Sequence, residues 1–272
     1  MKNFKDKVVI ITGASSGIGL ALAWEFARRG ARVVMGARSE EKLREQAEAM
    51  TLEGWQAAWL AVDVTRPAEC RKLIDTAVEL FGGVDVLVCN AGISMRALLD
   101  DVELDVLHSL MDVNFWGCAN CAKYALPWLQ ASRGSLVGIS SVAGIHGLPA
   151  RTGYSASKYA MEGFLETVRV ENLRKGLHVM VAYPGFTASN IRFTALTADG
   201  TRQGDSPRDE GHMMTAEQAA RRIVDATARR RRTVKLDFNG RATALIKKFC
   251  PSLVDRLFYN HMAKEPDSPL KR

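Results

Sequence analysis

A short apolar run followed at once by a glycine-rich turn constrains this chain more than any other stretch. Residues 8–11 are Val-Val-Ile-Ile, the composition of a buried strand, and residues 12–19 are Thr-Gly-Ala-Ser-Ser-Gly-Ile-Gly, leading into a helix-like segment. A strand, a glycine-rich turn and a helix in this order form a phosphate-binding loop, because the free amides at the helix N-terminus attract negative charge. Gly13 permits the tight turn, and Gly17 and Gly19 allow phosphate and strand to approach the helix. The stretch therefore predicts a site for a phosphorylated ligand.

Strand-like and helix-like segments alternate along the rest of the chain. Further strands are expected at residues 32–35, 55–62, 84–89, 135–139, 177–183 and 233–238, with helical patterns between them. This alternation predicts an α/β, Rossmann-like fold, which is a doubly wound parallel sheet of about seven strands with helices on both faces. With 272 residues, the chain is long enough for one such domain. We expect that domain to span residues 1–239, and two amphipathic helices, 240–249 and 252–262, to form a C-terminal extension over 240–272.

The ends of the predicted strands indicate where the ligand binds. In a parallel sheet of this kind, ligands lie at the carboxyl ends of the strands. The Gly13 turn, Asp63, Asn90, Ser141 and Pro184 all follow such ends. We therefore expect these five positions to converge on one crevice.

The residues after the second strand indicate which dinucleotide would fit. An acidic residue there would accept a hydrogen bond from the ribose 2′-hydroxyl group of NAD. This chain has Ala37 and then Arg38, so no carboxylate repels a 2′-phosphate and a guanidinium group is present to bind it. The pair favours NADP(H), and the alternative is that Arg38 is an ordinary surface arginine.

Tyr154 and Lys158 lie four residues apart in a predicted helix, so their side chains share one face. An ammonium group beside a phenol favours the phenolate and lowers the pKa of the tyrosine, so that it can exchange a proton with an alcohol or carbonyl near neutral pH. Alone, such a pair is most often two neighbours on a solvated helix. Ser141 sharpens the prediction, because it follows the strand at 135–139, where its hydroxyl group can reach the same substrate oxygen.

Six motifs together resemble the short-chain dehydrogenase/reductase family. They are Thr12-Gly-x-x-x-Gly-x-Gly19, Asn90-Ala-Gly92, Asn114, Ser141, Tyr154-x-x-x-Lys158 and Pro184-Gly185, in the family's order and at its usual intervals. The resemblance extends over about residues 5–190 and the strand near 233–238. The C-terminal extension is similar in kind to those of hydroxysteroid dehydrogenase relatives. Cys89 departs from the pattern, because many members have a second asparagine there.

The resemblance implies a role for each residue of the centre. Tyr154 would be the general acid/base, and Ser141 would position and polarise the substrate oxygen. Lys158 would lower the pKa of Tyr154 and bind the nicotinamide ribose. Asn114, predicted near the middle of a helix at 103–130, would hold a water molecule in a proton relay behind Lys158. Members usually pair through the helices that carry Asn114 and Tyr154, so a homodimer or homotetramer is expected.

The implied reaction is hydride transfer between the nicotinamide C4 and a carbonyl carbon. In the cofactor site, the Asp63 carboxylate is expected to accept a hydrogen bond from the adenine amino group. The residues expected to bind NADP(H) are Gly13, Ser15, Ser16, Gly17, Ile18, Gly19, Arg38, Asp63, Val64, Asn90, Ala91, Gly92, Tyr154, Lys158, Pro184, Gly185 and Thr187.

Substrate selection is expected in the loop after Pro184. Residues 186–214 form a predicted lid with a mobile tip at 197–212. The favoured substrate is a lipophilic ketone or secondary alcohol, such as a steroid or 3-oxoacyl group; the alternatives are a small polar carbonyl or sugar, and a nucleotide-sensing regulator without turnover. His146 is predicted either to face the substrate or to be a plain loop histidine. Seven apolar residues could form a wall of the substrate pocket, or could be ordinary core or hinge packing: Met95, Leu148, Tyr183, Ile191, Phe193, Leu196 and Met213.

The net charge of +7 comes partly from an arginine run at 229–232. Such a run can bind nucleic acid, but a basic helix end that leads into a strand is the more ordinary explanation, so no nucleic-acid partner is predicted. Cys118 and Cys121 lie within a predicted helix and not at its start, so no metal or redox site is predicted there.

Three roles for the C-terminal extension stay open at this point. It could pack over the substrate pocket, form a dimer surface, or contact a membrane face through Arg241, Lys247 and Lys248. The N-terminus shows no apolar signal segment, no run approaches the length of a membrane span, and the cysteines suit a reducing compartment, so the chain is expected in the cytoplasm.

Overall fold

The structure, a computed structural model, describes residues 4–185, 187, 190–206, 211, 213–265 and 267–271, without the side chains of residues 238, 239 and 241. Three positions of the predictions above therefore lie outside the described part of the chain. The first two are Phe186, where the predicted lid begins, and His212, where its tip ends. The third is the side chain of Arg241.

The described residues form one parallel sheet of seven strands. The strands are β1 Val8–Thr12, β2 Arg32–Ala37, β3 Ala57–Ala61, β4 Val86–Cys89, β5 Ser135–Ile139, β6 His178–Tyr183 and β7 Thr233–Lys235. Their order across the sheet is β3-β2-β1-β4-β5-β6-β7. The order reverses between β1 and β4, which is the switch point where sheets of this kind bind ligands.

Helices cover both faces of the sheet, which confirms the predicted α/β fold. Within the described residues they are α1 Gly17–Arg28, α2 Glu40–Leu52, α3 Pro67–Phe81, α4 Leu104–Met111, α5 Gly117–Ala131, α6 Val142–Ile145, α7 Thr152–Glu171, α8 Ala216–Ala228, α9 Phe238–Ile246 and α10 Pro251–Ala263. Helices α1, α2 and α8 share one core with the sheet, and α3, α5 and α7 share the other.

The burial of β1 shows why these residues form a central strand. Val9 and Ile11 pack with Phe26 of α1 on one face, whereas Val8 and Ile10 pack with Leu73 of α3 on the other. Alternate side chains of a strand point to opposite faces, so a strand between two helical layers must be apolar throughout. Each such side chain contributes about 2 kcal/mol when fully buried.

The helix predicted at 103–130 is present as one helical run from Leu104 to Ala131, but its regular hydrogen bonding changes near the middle. A π-turn, Asp112–Trp116, separates α4 from α5 and contains Asn114. A π-turn holds one more residue than a regular helical turn, which rotates the side chains that follow it, and such turns are frequent at functional sites. The pattern of apolar residues did not reveal it, because both flanking helices keep their own periodicity.

The C-terminal extension folds back onto the domain. Lys247 Nζ donates hydrogen bonds to Ile145 O at 2.6 Å and to Tyr159 Oη at 2.7 Å. His146 Nε2 lies 3.2 Å from Asp255 Oδ1, and its ring stacks on Phe258. The extension is thus fastened to the segment that follows Ser141.

The described part of the predicted lid is hydrogen bonded to the wall of the cleft. Leu196 N donates to Ser94 O at 2.9 Å, Leu196 O accepts from Arg96 N at 2.8 Å, and Glu103 N donates to Ala198 O at 2.9 Å. Residues 196–198 therefore lie against residues 94–103, and the mobility expected of the tip at 197–212 stays a prediction.

The arginine run follows the end of α8, as predicted for a basic helix end. Arg230 donates to Arg133 O at 2.9 Å and to Gly176 O at 2.5 Å, and Arg232 pairs with Glu166 of α7. The guanidinium group of Arg230 thus joins the residues before β7 to two neighbouring loops, and that of Arg232 joins them to α7. Both charged groups have a structural role.

Candidate active site

The glycine-rich turn is fastened to the end of β4. Asn90 Nδ2 donates to Thr12 O at 2.9 Å and to Gly13 O at 3.2 Å, and the Asn90 and Ala91 amides both donate to Thr12 Oγ1 at 3.0 Å. Gly13 has φ +66°, and a Cβ there would lie 2.8 Å from the Ala91 Cα. Only glycine fits this position, because both the backbone angle and the lack of space exclude a side chain.

A single cleft of about 710 Å³ at the carboxyl ends of the strands brings the predicted residues together. Every residue predicted to bind the dinucleotide lines it, and so does Ser141. Asn114 does not line it and is 1% exposed. The expected convergence of strand ends is therefore present in the structure.

One end of the cleft carries Ala37, Arg38 and Asp63, together with Lys42 of α2. The sequence analysis missed Lys42, although a second cation four residues after Arg38 was a visible signal. Asp63 Oδ1 accepts hydrogen bonds from the amide and the hydroxyl group of Thr65, at 3.0 and 2.9 Å. Burial raises the pKa of Asp63, but these hydrogen bonds outweigh it and hold the pKa below its ordinary value.

Ser141, Tyr154 and Lys158 meet at the middle of the cleft. Ser141 is the N-cap of α6, directly after β5, and its Oγ accepts from Ala143 N at 3.2 Å. Ser141 lies beside the phenol of Tyr154 and opposes the rise of its pKa. Lys158, one turn further along α7, places Nζ 5.7 Å from the centre of the Tyr154 ring and donates to Ile139 O at 2.9 Å.

The charges around the phenol differ from the expectation that Lys158 lowers the pKa of Tyr154. Burial raises the pKa of Tyr154, and the groups that oppose this rise are Ser141 and the guanidinium group of Arg151. Burial also lowers the pKa of Lys158 to about 8. Arg151, three residues before Tyr154, was not singled out from the sequence.

Asn114 holds the segment after β4 in place. Its Oδ1 accepts from Ile93 N at 2.8 Å, and its Nδ2 donates to Ile93 O and to Ser157 Oγ, both at 2.9 Å. A Cβ at Gly92 would lie 3.0 Å from Asn114 Oδ1 and 3.5 Å from Lys158 Nζ.

The substrate half of the cleft differs from the predicted wall. Leu148, Ile191 and Leu196 line it, and Met95 lies fully buried behind them in the same cluster. Tyr183 belongs to the core between the sheet and α7 instead, because its hydroxyl group donates to Glu162 at 2.9 Å. For Tyr183 the structure therefore favours the alternative of core packing, since a strand-end residue can point to either face.

Two further residues of the possible wall do not line the cleft, and His146 lies elsewhere. Phe193 is 41% exposed, and the Met213 sulfur accepts a hydrogen bond from Arg192 at 3.1 Å. His146 lies in a separate groove of about 680 Å³, under α10. Of the two alternatives for His146, the structure favours the one in which it does not face the substrate, because Asp255 and Phe258 of the extension contact its ring.

The C-terminal extension contributes to the substrate half. Met262 and Glu265 line the cleft although they are 4% and 6% exposed. Glu265 Oε2 lies 3.6 Å from Arg96 Nε, and both side chains are largely buried. Sequence reasoning missed both residues, because nothing in a linear pattern shows that the tail returns to the cleft.

The family model described as short chain dehydrogenase matches residues 7–199. The chain belongs to this family. The recognised resemblance is thereby confirmed, and the chain is an oxidoreductase of a family whose fold binds nicotinamide dinucleotides.

Curated relatives match along nearly the whole chain. It is 37% identical over 272 residues to 11-beta-hydroxysteroid dehydrogenase A of Sesamum indicum, covering 97% of this chain and 78% of the relative. It is 33% identical over 272 residues to dehydrogenase/reductase SDR family member 7B of Rattus norvegicus, covering 97% and 84%. The C-terminal extension thus falls largely within the matched region, in line with the predicted likeness to hydroxysteroid dehydrogenase relatives.

Solved structures of the family superpose closely. A short-chain dehydrogenase/reductase from Burkholderia phymatum in complex with NAD has a TM-score of 0.82 at 25% identity, covering 93% of this chain and 96% of that one. An alcohol dehydrogenase from Thermococcus sibiricus complexed with 5-hydroxy-NADP has a TM-score of 0.72 at 26% identity, covering 80% and 88%. One neighbour holds NAD and the other an NADP derivative, so the likeness does not choose between them.

The departure of Cys89 from the family pattern has a local explanation. Cys89 is buried, and its thiol donates a hydrogen bond to the main-chain oxygen of Cys118 at 3.8 Å, while the Cys70 thiol donates to Val64 O at 3.3 Å. The neighbouring Cys118 side chain and burial raise the pKa of the Cys89 thiol well above its ordinary value. These thiols therefore behave as apolar groups in the core between α3, β4 and α5.

None of the helices that the structure describes is both long enough and apolar enough to span a bilayer.

Proposed function

We propose that the chain is an NADP(H)-dependent oxidoreductase that interconverts a ketone and a secondary alcohol. The observation that carries this proposal is the meeting of Ser141, Tyr154 and Lys158 in the same cleft as the glycine-rich turn and Arg38. A non-catalytic nucleotide sensor would need the turn but not a phenol held beside a serine hydroxyl group and a buried lysine.

The residues present fit a dinucleotide. Gly13 and Gly19 leave a cradle that a Cβ would fill, and the N-terminus of α1 points its amides at a phosphate. When bound, the nicotinamide supplies or accepts the hydride. Arg38 and Lys42 would hold a 2′-phosphate, Asp63 the adenine, and Lys158 the nicotinamide ribose.

The chain's own groups would handle the proton. In reduction, Tyr154 donates its phenolic proton to the carbonyl oxygen, and in oxidation the phenolate takes the proton from the alcohol. The Ser141 hydroxyl group, beside the phenol, positions the same oxygen. The guanidinium group of Arg151 opposes the rise in the pKa of Tyr154, and Lys158 adds an ammonium group 5.7 Å from the ring centre.

A cofactor titration tests the NADP preference. The wild type is expected to bind NADPH about tenfold or more tightly than NADH, and Arg38→Asp is expected to remove this preference. Arg44→Asp is the matched control, because Arg44 is an exposed residue of the same helix as Lys42 and does not line the cleft. Equal binding of both cofactors by the wild type would rule out the Arg38 grip.

A lipophilic substrate is the second part of the proposal. The cleft walls carry Leu148, Ile191, Leu196 and Met262, and curated relatives are named for a hydroxysteroid. We expect NADPH oxidation with steroid ketones or 3-oxoacyl thioesters and none in Tyr154→Phe. Turnover confined to small sugars or polar aldehydes would favour the alternative substrate class.

Of the three roles for the extension, packing over the substrate pocket has the most support, because Met262 and Glu265 line the cleft. We assign residues 1–239 to the catalytic domain with the lid at 186–214, and residues 240–272 to this cover. Peripheral membrane contact stays an alternative, since Leu245, Phe249 and Leu257 are exposed on the extension.

A homodimer or homotetramer is proposed through the faces of α5 and α7. Trp128 on α5 and Tyr159 and Val170 on α7 are large side chains that are partly exposed. Light scattering of the wild type would give the mass of the assembly, and a monomer would contradict the proposed oligomer.

The five free cysteines support a reducing, cytoplasmic location.

A further inference from the structure

A partly buried carboxyl group, Glu162, lies one turn beyond Lys158 on α7 and has no part in the proposed mechanism. Its Oε1 accepts a hydrogen bond from Ser140 Oγ at 2.5 Å, and its Oε2 accepts one from Tyr183 Oη at 2.9 Å. Ser140 and Tyr183 are 4% and 8% exposed. A carboxyl group is kept in such surroundings only when both oxygens are satisfied.

The position of this carboxyl group fixes the segment that carries Ser141. Ser140 immediately precedes Ser141, and its amide donates to Ala182 O of β6 at 2.8 Å. Gly144 of α6 passes so close that a Cβ there would collide with Glu162 Oε1. Glu162 therefore joins the ends of β5 and β6 beneath the turn on which Ser141 is held.

Charged and titratable groups from three elements surround Glu162. Lys158 belongs to its own helix, Lys235 approaches from β7, and Tyr183 from β6. Lys235 Nζ lies 5.8 Å from the centre of the Tyr183 ring. Burial raises the pKa of Glu162, and Ser140, Tyr183 and the two lysines oppose this rise. Burial also lowers the pKa of Lys158, while Cys118, Glu162 and Cys89 oppose it.

We propose that Glu162 is a positioning residue of the reaction, whose carboxylate anchors the Ser141 segment through Ser140 and keeps the Lys158 ammonium group charged. This inference rests on the proposed function, because it assigns Glu162 to the same proton-handling centre. Glu162 acts only through Ser140 and Lys158 and touches neither substrate nor cofactor.

Glu162→Gln separates the charge from the hydrogen bonds. The glutamine amide oxygen can still accept from Ser140 and its amide nitrogen can donate to the Tyr183 oxygen, so folding is preserved. Removal of the negative charge is expected to lower the pKa of Lys158 by about one unit. Carbon-13 NMR of the lysine Cε groups measures this without cofactor or substrate, with the Lys158 signal assigned by its loss in Lys158→Met.

Kinetics provide the second measurement. The alkaline limb of kcat/KM for ketone reduction should move to lower pH by about one unit in Glu162→Gln, because the ammonium form is lost earlier, while KM stays close to the wild-type value. Glu166→Gln is the matched control. Glu166 lies one turn further along α7 on the surface, 60% exposed, and its removal should shift neither quantity.

The outcomes separate this inference from the proposed function. An unchanged Lys158 titration in Glu162→Gln, with the unfolding temperature also unchanged, would overturn the inference even if the wild type reduces ketones. A wild type that turns over no ketone would overturn the proposed function, and the NMR titration would still decide the role of Glu162. A shift in Glu162→Gln and none in Glu166→Gln supports it.

Discussion

Single residues decide whether the glycine-rich turn can form. A Cβ at Gly19 would collide with Gly13 O and with Asn90 Nδ2, the atom that ties this turn to β4. The helix cannot retreat, because its other face is packed against the core. We expect Gly19→Ala to destabilise the protein by about 2 kcal/mol and to weaken NADPH binding at least tenfold. Chemical denaturation and a fluorescence titration measure the two effects.

Gly163→Ala is the control for this prediction. Gly163 is an exposed position inside α7, and a Cβ there meets nothing within 4 Å. Alanine is favoured over glycine in a helix interior by about 1 kcal/mol, so this variant should be slightly more stable than the wild type. Wild-type NADPH affinity in Gly19→Ala would contradict the close packing of the turn.

Sequence patterns predicted the residues whose positions follow from helix spacing or from a strand end. Tyr154 and Lys158 share a helix face by spacing alone, and the glycines and Asn90 follow strand ends. The surroundings of His146 and Glu265 could not be predicted in this way, because α10 returns from far along the chain to cover one and to place the other in the cleft. The role of Arg151 depends on its distance to the Tyr154 phenol, which composition does not reveal.

At the scale of helices, one buried arginine joins α1 to α8. Arg29 is paired with Glu25 at 2.5 Å and with Asp225 at 2.7 Å, and its side chain is 5% exposed. Without Arg29, the buried Glu25 carboxylate would lose an ion pair that offsets the cost of removing it from water. We therefore expect Arg29→Met to lower the free energy of unfolding by about 3 kcal/mol in urea denaturation.

An exposed pair on α3 provides the comparison. Arg71 and Asp75 are 3.6 Å apart, and their side chains are 68% and 53% exposed. Water and salt screen such a pair, so Arg71→Met should change the free energy of unfolding by less than about 1 kcal/mol. Equal losses in the two variants would show that burial of Arg29 adds nothing to its pairing.

The extension as an element is expected to control substrate binding but not cofactor binding. Lys247 is its main polar link to the segment after Ser141, through Ile145 O and Tyr159 Oη. We expect Lys247→Met to raise KM for a lipophilic ketone by roughly tenfold, because two charge-assisted hydrogen bonds are lost. NADPH affinity should be unchanged. Lys248→Met, at the exposed neighbouring position, should behave as the wild type in steady-state kinetics.

Elements of regular periodicity were predictable, and their interruptions were not. The strands and the helix α3, Pro67–Phe81, follow directly from apolar patterns and from Pro67 in the first turn. The π-turn around Asn114 leaves no such trace, because its cause is the set of hydrogen bonds to Ile93 and Ser157, which lie in other parts of the chain.

At the scale of the whole molecule, a buried histidine links strands across the sheet. His178 on β6 has Nδ1 2.9 Å from Ser135 Oγ of β5 and Nε2 2.8 Å from Arg231 O before β7. Burial lowers the pKa of His178 from its ordinary 6.5, and the charges of Arg230 and Arg169 lower it further, while the Arg231 carbonyl opposes them. The folded protein therefore holds this imidazole neutral.

This lowered pKa makes the stability of the fold depend on pH. Below pH 6.5 the unfolded chain binds a proton at this histidine that the folded chain does not. The stabilisation is therefore present above pH 6.5 and is lost as the pH falls towards the folded pKa, at no more than about 1.4 kcal/mol per pH unit.

His178→Gln, which keeps a donor for the Arg231 carbonyl, should reduce the pH dependence of the free energy of unfolding in urea between about pH 7 and pH 5. His108→Gln, on the exposed face of α4, should leave the slope unchanged. Parallel pH profiles for His178→Gln and the wild type would mean that protonation of His178 does not limit the acid stability of the sheet.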